Sequence, residues 1–242
     1  MPSGIAERRV ILVLDAAAPL SDQPGDRQHV PVNMVLQAGE LALVHVEPLQ
    51  WASTFADLCS GLLSPAYGHV SFLNQDWARL PSDQANTLRG RIGRVFATST
   101  WLPHLSLLDN VVLRQLHHTH RPLAELRHEA MQLATRFGLP GLPAGDPRDV
   151  LPQDLQRVAC VGAFLGSPVL LLLEEPTNGV YPELLVPLIH AIRRARSRGS
   201  AVVWLTTVAA IWNDPSIPAT WRYRLVGRQF REMSRLVRTH GL

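Results

Sequence analysis

The stretch Leu170–Gly179, "LLLLEEPTNG", runs an apolar segment begun at Val169 straight into two adjacent carboxylates, Glu174 and Glu175. Five consecutive apolar residues at strand length predict a buried strand. Pro176, Thr177, Asn178 and Gly179 then predict a loop, and "PELLVPLIHAIRRARSRG" an amphipathic helix that tolerates Pro187 near its first turns. An acidic pair at the end of a buried strand is costly unless something positive meets it. In a nucleotide hydrolase the positive partner is magnesium with a phosphate chain. A phosphate-binding loop is therefore the next thing to seek.

Outward from this stretch, strand-like and helix-like segments alternate. "RRVILVL", "ELALVHV", "GHVSFLN", "RIGRVFA" and "SAVVWLTT" predict strands, and "WRYRLVGRQFREM" a hairpin turning at Gly227. "STFADLCSGLL", "SLLDNVVLRQL", "PLAELRHEAMQLATRFGL" and "PQDLQRVACVGAFLG" predict helices, the last opened by Pro152 and ended near Gly166. Alternation of this kind implies a parallel sheet with helices on its faces, and the run of successive helices in the middle implies a lobe.

A chain of 242 residues allows one sizeable domain, or one with an inserted lobe. Apolar content of 46% against 18% charge predicts a buried core rather than disorder. No apolar run approaches membrane-span length, and the first twenty residues read as a strand rather than a secretion signal. Cys59 and Cys160 are isolated in helix-like segments, where buried free thiols are expected. A cytosolic location follows as the expectation.

All 23 basic residues are arginine, and the chain contains no lysine. The run "IRRARSRGS" reads as a solvated helix face, because the net charge is only +3 and no aromatics interleave with it. No nucleic-acid partner is expected. "HHTH" at His117–His120 lacks an accompanying acid or thiol ligand and reads as an interhelical turn, so no metal site is expected.

The order and spacing of these blocks resemble the ATP-binding subunit of ABC transporters from about Arg8 to about Met233. "AGELALVHV" resembles the strand entering the phosphate loop, "WLPHLSLLDNVVL" the start of the helical lobe, "QRVACVGAFLGSP" the helix after the signature motif, and "LLLLEEPTNG" the Walker B strand. The resemblance implies an α/β fold of the P-loop NTPase-like ABC ATPase type. It would have a mainly parallel sheet, an N-terminal antiparallel β subdomain and a helical lobe. Residues 1–242 would form one nucleotide-binding domain, with the lobe inserted at about 98–160.

The family's phosphate loop departs sharply here. Its Gly-x-x-Gly-x-Gly-Lys-Ser-Thr falls on Val46-Glu47-Pro48-Leu49-Gln50-Trp51-Ala52-Ser53-Thr54. Glycines let backbone N–H groups wrap phosphates, the lysine neutralises them and the hydroxyl holds magnesium. Here every glycine is replaced, the lysine is Ala52, and Pro48 removes an amide donor. Ser53 and Thr54 survive, with helix capping as their simplest role. The loop's fill is expected from Val46, Pro48, Leu49 and Trp51, with Leu49 and Trp51 over the strand end near Glu174. The strand-end glutamine corresponds to Ala97, the signature to Val150-Leu151-Pro152-Gln153-Asp154, the aspartate after Walker B to Tyr181 and the switch histidine to Thr207. The first 50 residues hold no Phe, Tyr or Trp to stack an adenine.

What remains is Glu174 in the Walker B aspartate's position and Glu175 in the catalytic glutamate's. The resemblance makes Glu175 a vestigial general base, and Ser53, Thr54 and Glu174 vestigial magnesium and phosphate positions. Phosphoryl transfer rests on positioning and charge stabilisation, so a base without stabilisers is read as structural, hydrogen-bonded to Thr206 and Thr207. No cofactor is expected; Mg-ATP belongs to an alternative in which Glu175 serves an unorthodox ATPase site. Trp101, Leu102 and Leu105 lie where the family receives a membrane subunit's coupling helix, and read either as ordinary core or as a partner groove. The expected role is a non-catalytic or severely impaired subunit at the cytoplasmic face of a membrane. Its partners would be a permease, an active ATPase, or both, and lipid is a possible cargo. The remaining alternative is a cytosolic interaction protein no longer linked to transport.

Overall fold

The computed structural model describes residues 9–19, 30–98, 101–227 and 229–235. The start of the resemblance at Arg8, the first eight residues of the N-terminal strand reading, and Ser99 and Thr100 before Trp101 lie outside them. The strands are β1 (Val10–Pro19), β2 (Val32–Gln37), β3 (Leu41–Glu47), β4 (Pro65–Phe72), β5 (Gln75–Asp76), β6 (Ile92–Val95), β7 (Leu170–Glu174), β8 (Ala201–Thr206), β9 (Trp221–Val226) and β10 (Gln229–Arg235). The helices are α1 (Gln50–Cys59), α2 (Ser82–Arg89), α3 (Leu107–His118), α4 (Leu123–Arg136), α5 (Pro152–Phe164), α6 (Leu185–Ser197) and α7 (Ala209–Asn213).

Two sheets form. The first is antiparallel, in the order β2-β1-β4-β5; the second runs β10-β9-β3-β8-β7-β6, parallel throughout except for the terminal β9–β10 hairpin. The fold is the expected α/β arrangement. Strands β7 and β8 are buried along their whole length, because the alternation of side chains feeds two cores. Leu171, Leu173, Val202 and Trp204 point into a core shared with α3, α4, α5 and α6. Leu170, Leu172, Val203 and Leu205 point into a second core closed by α1 and the antiparallel sheet.

Local chemistry sets the element ends. Ser106 caps α3 by accepting from the Asp109 N–H, and Pro152 occupies the first turn of α5, where its missing donor is not needed. After α5, Gly166 adopts a left-handed φ of +78°, and its N–H donates to Glu129 Oε1 at 3.1 Å. Two short helices, α2 and α7, have no counterpart in the sequence reading. Helix α1 begins at Gln50, earlier than the "STFADLCSGLL" pattern suggests.

Candidate functional site

The parallel strand β3 delivers the chain to the segment that aligns with a phosphate loop. Val46 is buried, Glu47 and Pro48 are exposed, and Leu49 stands at the N-terminal end of α1. Ala52, in the lysine's position, is fully buried among Phe55, Ala56 and Cys59 of the same helix. The expected filling is partly corrected. Trp51 packs half-buried against the second core, but Leu49 is 40% exposed because the helix start turns it outward.

A guanidinium occupies the place next to Glu174 instead. Arg94 on β6 donates from Nε to Glu174 Oε1 at 2.6 Å and from Nη1 to Asp57 Oδ1 at 2.6 Å. Ser53 Oγ donates to Glu174 Oε2 at 2.7 Å, and the Ala97 N–H reaches the same oxygen at 3.4 Å. Ser53 and Asp57 are one helical turn apart, so α1 offers a donor to Glu174 and a carboxylate to Arg94 from one face. Glu174 is wholly buried and the Arg94 side chain 9% exposed, so this ion pair is screened little by solvent. Helix capping is not the role of Ser53. Thr54 lies outside the cluster, its hydroxyl bonded back to the Gln50 carbonyl at 3.1 Å.

Glu175 is held separately. Its carboxylate accepts from Thr206 Oγ1 at 2.9 Å, from Thr207 Oγ1 at 2.7 Å and from the Thr207 N–H. The expected link to Thr206 and Thr207 therefore forms for Glu175 and not for Glu174. Glu175 adopts a left-handed φ of +42°, a strained conformation for a side chain with a Cβ, which these contacts hold in place. Gln156 of α5 braces the loop from outside by donating to the Pro176 carbonyl at 3.0 Å.

Beside this loop, His45 of β3 is buried, edge-on to Trp212, and its Nδ1 has no hydrogen-bond partner. Burial foremost, and then the charge of Arg224, hold its pKa below the ordinary imidazole value, while Glu47, the Thr207 backbone and Glu175 pull weakly the other way. A pKa depressed on folding gives stability that is fully present above the unfolded value and lost as pH falls through the folded one. Unfolding free energy is thus expected to fall as the medium is acidified below about pH 6.5. His45→Gln should flatten that slope in urea titrations at stepped pH; an unchanged slope would assign the acid sensitivity elsewhere.

At the lobe entrance, Trp101 is half-buried against the first core, Leu102 exposed and Leu105 half-buried. Asn110 fixes this turn, accepting from the Leu102 N–H at 2.9 Å and donating to the Leu102, Leu105 and Ser106 carbonyls. Both cysteines are buried free thiols, and burial pushes Cys160 up to about 12. No group of three or more metal-ligating side chains occurs among the described residues. Arg94 is the site residue that sequence reading missed. An arginine inside the four-residue strand "IGRV" was the available signal, because a buried cation demands a carboxylate.

A mainly parallel sheet whose acidic strand end abuts α1, flanked by an antiparallel sheet and a helical segment, defines a nucleotide-binding cassette of the P-loop type. The chain belongs to the ABC transporter family, whose model matches residues 52–178. It is 28% identical over 175 residues to the nopaline permease ATP-binding protein P of Agrobacterium fabrum, covering 68% of each chain. It is 30% identical over 119 residues to the glutamate/aspartate import ATP-binding protein GltL of Escherichia coli K12, so the match spans about half (49%) of that relative's length. The intermembrane phospholipid transport system ATP-binding protein MlaF of Haemophilus influenzae is 26% identical over 72% of this chain and 67% of its own. In fold, the dimeric structure of MJ0796, a bacterial ABC transporter cassette, superposes with a TM-score of 0.80 at 20% identity, over 94% of this chain and 99% of that one.

Proposed function

We propose that this chain is a non-catalytic ATP-binding-type subunit that supports a membrane transporter structurally or by regulation. The observation that carries the reading is the commitment of both Glu174 oxygens to Arg94 and Ser53. A magnesium ion at Glu174 would have to displace a buried guanidinium, and Ala52 offers no cation for the phosphates it would bring. Glu175 is likewise occupied by Thr206 and Thr207. The residues present do not fit magnesium–nucleotide.

In this reading residues 1–242 are one nucleotide-binding domain with its helical lobe near 98–160. The partner is a permease or an active ATPase, and the chain sits at the cytoplasmic face of the membrane through that partner. No helix among the described residues is long and apolar enough to cross a membrane. The relatives named for permeases and transport systems support a transporter partner. A lipid cargo is the class supported by the phospholipid-transport relative, and opines or acidic amino acids the classes supported by two others. Trp101, Leu102 and Leu105 form the docking edge, since a large rigid aromatic beside exposed leucine suits an interface anchor.

Calorimetric titration with Mg-ATP is expected to give no saturable binding at physiological nucleotide concentration. Micromolar affinity would overturn the reading and return Glu175 as the base of an unorthodox ATPase. Trp101→Ala and Leu105→Asp are expected to weaken recovery of the permease from native membranes while each variant still melts cooperatively. Retained capture by folded variants would remove this edge from the interface, and capture of no transporter component by the unaltered chain would favour a role apart from transport.

A further inference from the structure

Among the six asparagines of the chain, Asn178 alone is followed by glycine. The pair closes the stretch that carries Glu174 and Glu175. An asparagine side-chain carbonyl carbon lies within reach of the next residue's backbone nitrogen, and the two can close a five-membered ring. A Cβ on that next residue hinders the approach, and glycine has none. Asn178 is therefore the position in this sequence where such ring closure meets least hindrance.

The fold meets the other requirements. Thr177 and Val180 are buried, whereas Asn178 and Gly179 are exposed, so the pair forms the tip of a loop anchored on both sides. The Asn178 N–H donates to the Glu175 carbonyl at 3.0 Å, and the Val180 N–H to the Thr177 carbonyl at 3.0 Å. The Gly179 N–H between them has no acceptor, and the Asn178 side chain makes no hydrogen bond. Gly179 has a left-handed φ of +70°, and a Cβ built there would meet no atom within 4 Å. The remaining asparagines differ. Asn33, Asn86 and Asn110 accept through Oδ1 from Ala16, Arg89 and Leu102, and Asn213 donates from Nδ2 to the Ala209 carbonyl. Asn74 is exposed and unbonded, but Gln75 follows it.

We propose that Asn178 is a site of spontaneous deamidation. The Gly179 nitrogen loses its proton and bonds to the Asn178 side-chain carbonyl carbon, the bond from that carbon to the amide nitrogen breaks, and ammonia leaves. Water then opens the resulting succinimide at one of its two carbonyls. One product is aspartate. The other is isoaspartate, in which the main chain runs through the former side chain and gains a methylene. Either product puts a carboxylate three residues from Glu175. Isoaspartate does more, because the inserted methylene lies inside the turn closed by the Val180–Thr177 bond. The lengthened turn would disturb Val180, whose carbonyl accepts from the Leu184 N–H at the entry to α6, and would loosen the loop that carries Glu175. Water is the only co-reactant, and the reaction depends neither on nucleotide loss nor on a permease.

The test holds the whole purified chain at physiological temperature and mildly alkaline pH, beside a mildly acidic sample, and follows both by peptide mapping with mass spectrometry. A gain of about one dalton is expected in the peptide containing Asn178, at least about tenfold faster than at Asn74. The gain should be slower in acid, since the attacking nitrogen must lose its proton. Asn178→Gln should abolish it, because the longer side chain would have to close a six-membered ring. The aged chain should melt at a lower temperature than the fresh one, while aged Asn178→Gln should keep its melting temperature. Fresh Asn178→Asp adds the charge without lengthening the main chain, and should melt as the unaltered protein does. No gain at Asn178, or a gain there no faster than at Asn74, would overturn the proposal. An aged chain that melts with the fresh one, or an equal loss in aged Asn178→Gln, would overturn the effect on the loop.

Discussion

Arg94→Met is expected to lower the unfolding free energy by about 3–5 kcal/mol, as removal of one partner from a buried ion pair does. The methionine fills most of the arginine's volume, so the loss is chiefly electrostatic. Glu174 is wholly buried, and without Arg94 its Oε1 keeps no donor while Oε2 keeps Ser53 and a long contact to the Ala97 N–H. Asp57 also loses its partner, but it is 37% exposed and water can replace the guanidinium, so Asp57→Asn should cost less than about 1 kcal/mol. Adding Glu174→Leu to Arg94→Met should recover most of the loss, because a hydrophobic replacement of the whole pair leaves no buried charge unpaired. Urea unfolding of the four proteins decides the matter. A loss below about 1 kcal/mol in Arg94→Met would mean that Glu174 is solvated in solution, and a metal at that position would again become admissible.

This internal ion pair also explains why an acidic strand end persists without the lysine and glycines that usually accompany it. A carboxylate at the end of β7 needs a cation. In this chain a cation stands beside it on β6, the neighbouring strand: Arg94. Arg94, Glu174, Ser53 and Asp57 together cross-brace β6, β7 and α1.

The central strands were legible because their burial is written in consecutive residues, whereas β2 and β5 were not read. "LLLLEE" and "SAVVWLTT" are apolar on both faces, which only a central strand between two cores requires. Helices α2 and α7 were not legible. The segment "SDQANTLR" buries just Ala85 and Leu88, too little to impose a period. At the site, motif spacing located Ser53, Glu174 and Glu175, and the Glu175 link to Thr206 and Thr207 follows from β8 lying beside β7. The partner of Glu174 was hidden because Arg94 lies 80 residues away and meets it only through sheet pairing. Leu49 was misread for a related reason: its hydrophobicity argues for burial, but where α1 begins decides which way it points.

Gly93→Ala should lower stability by about 3 kcal/mol or more. Intrinsic preference points the other way, since glycine weakens a strand interior and its φ at this position is not left-handed. The cost is steric. A Cβ on Gly93 would stand 1.9 Å from the Ala163 carbonyl oxygen and 2.9 Å from its carbon. Those atoms belong to the backbone of α5, so no side-chain rotation relieves the clash and the helix must move off β6. That movement would carry Gln156 away from the Glu175 loop and shift Gly162 and Ala163, which line a cavity at the lobe entrance. Gly162→Ala is the matched control. It lies in the last turn of α5 with its nearest neighbour at 3.8 Å, and should stabilise by up to about 0.5–1 kcal/mol through helix propensity alone. Thermal melts of the two variants should therefore move in opposite directions. Equal and small shifts would mean that α5 does not rest on β6 at Gly93, and the bracing of the acidic loop by α5 would fall with it.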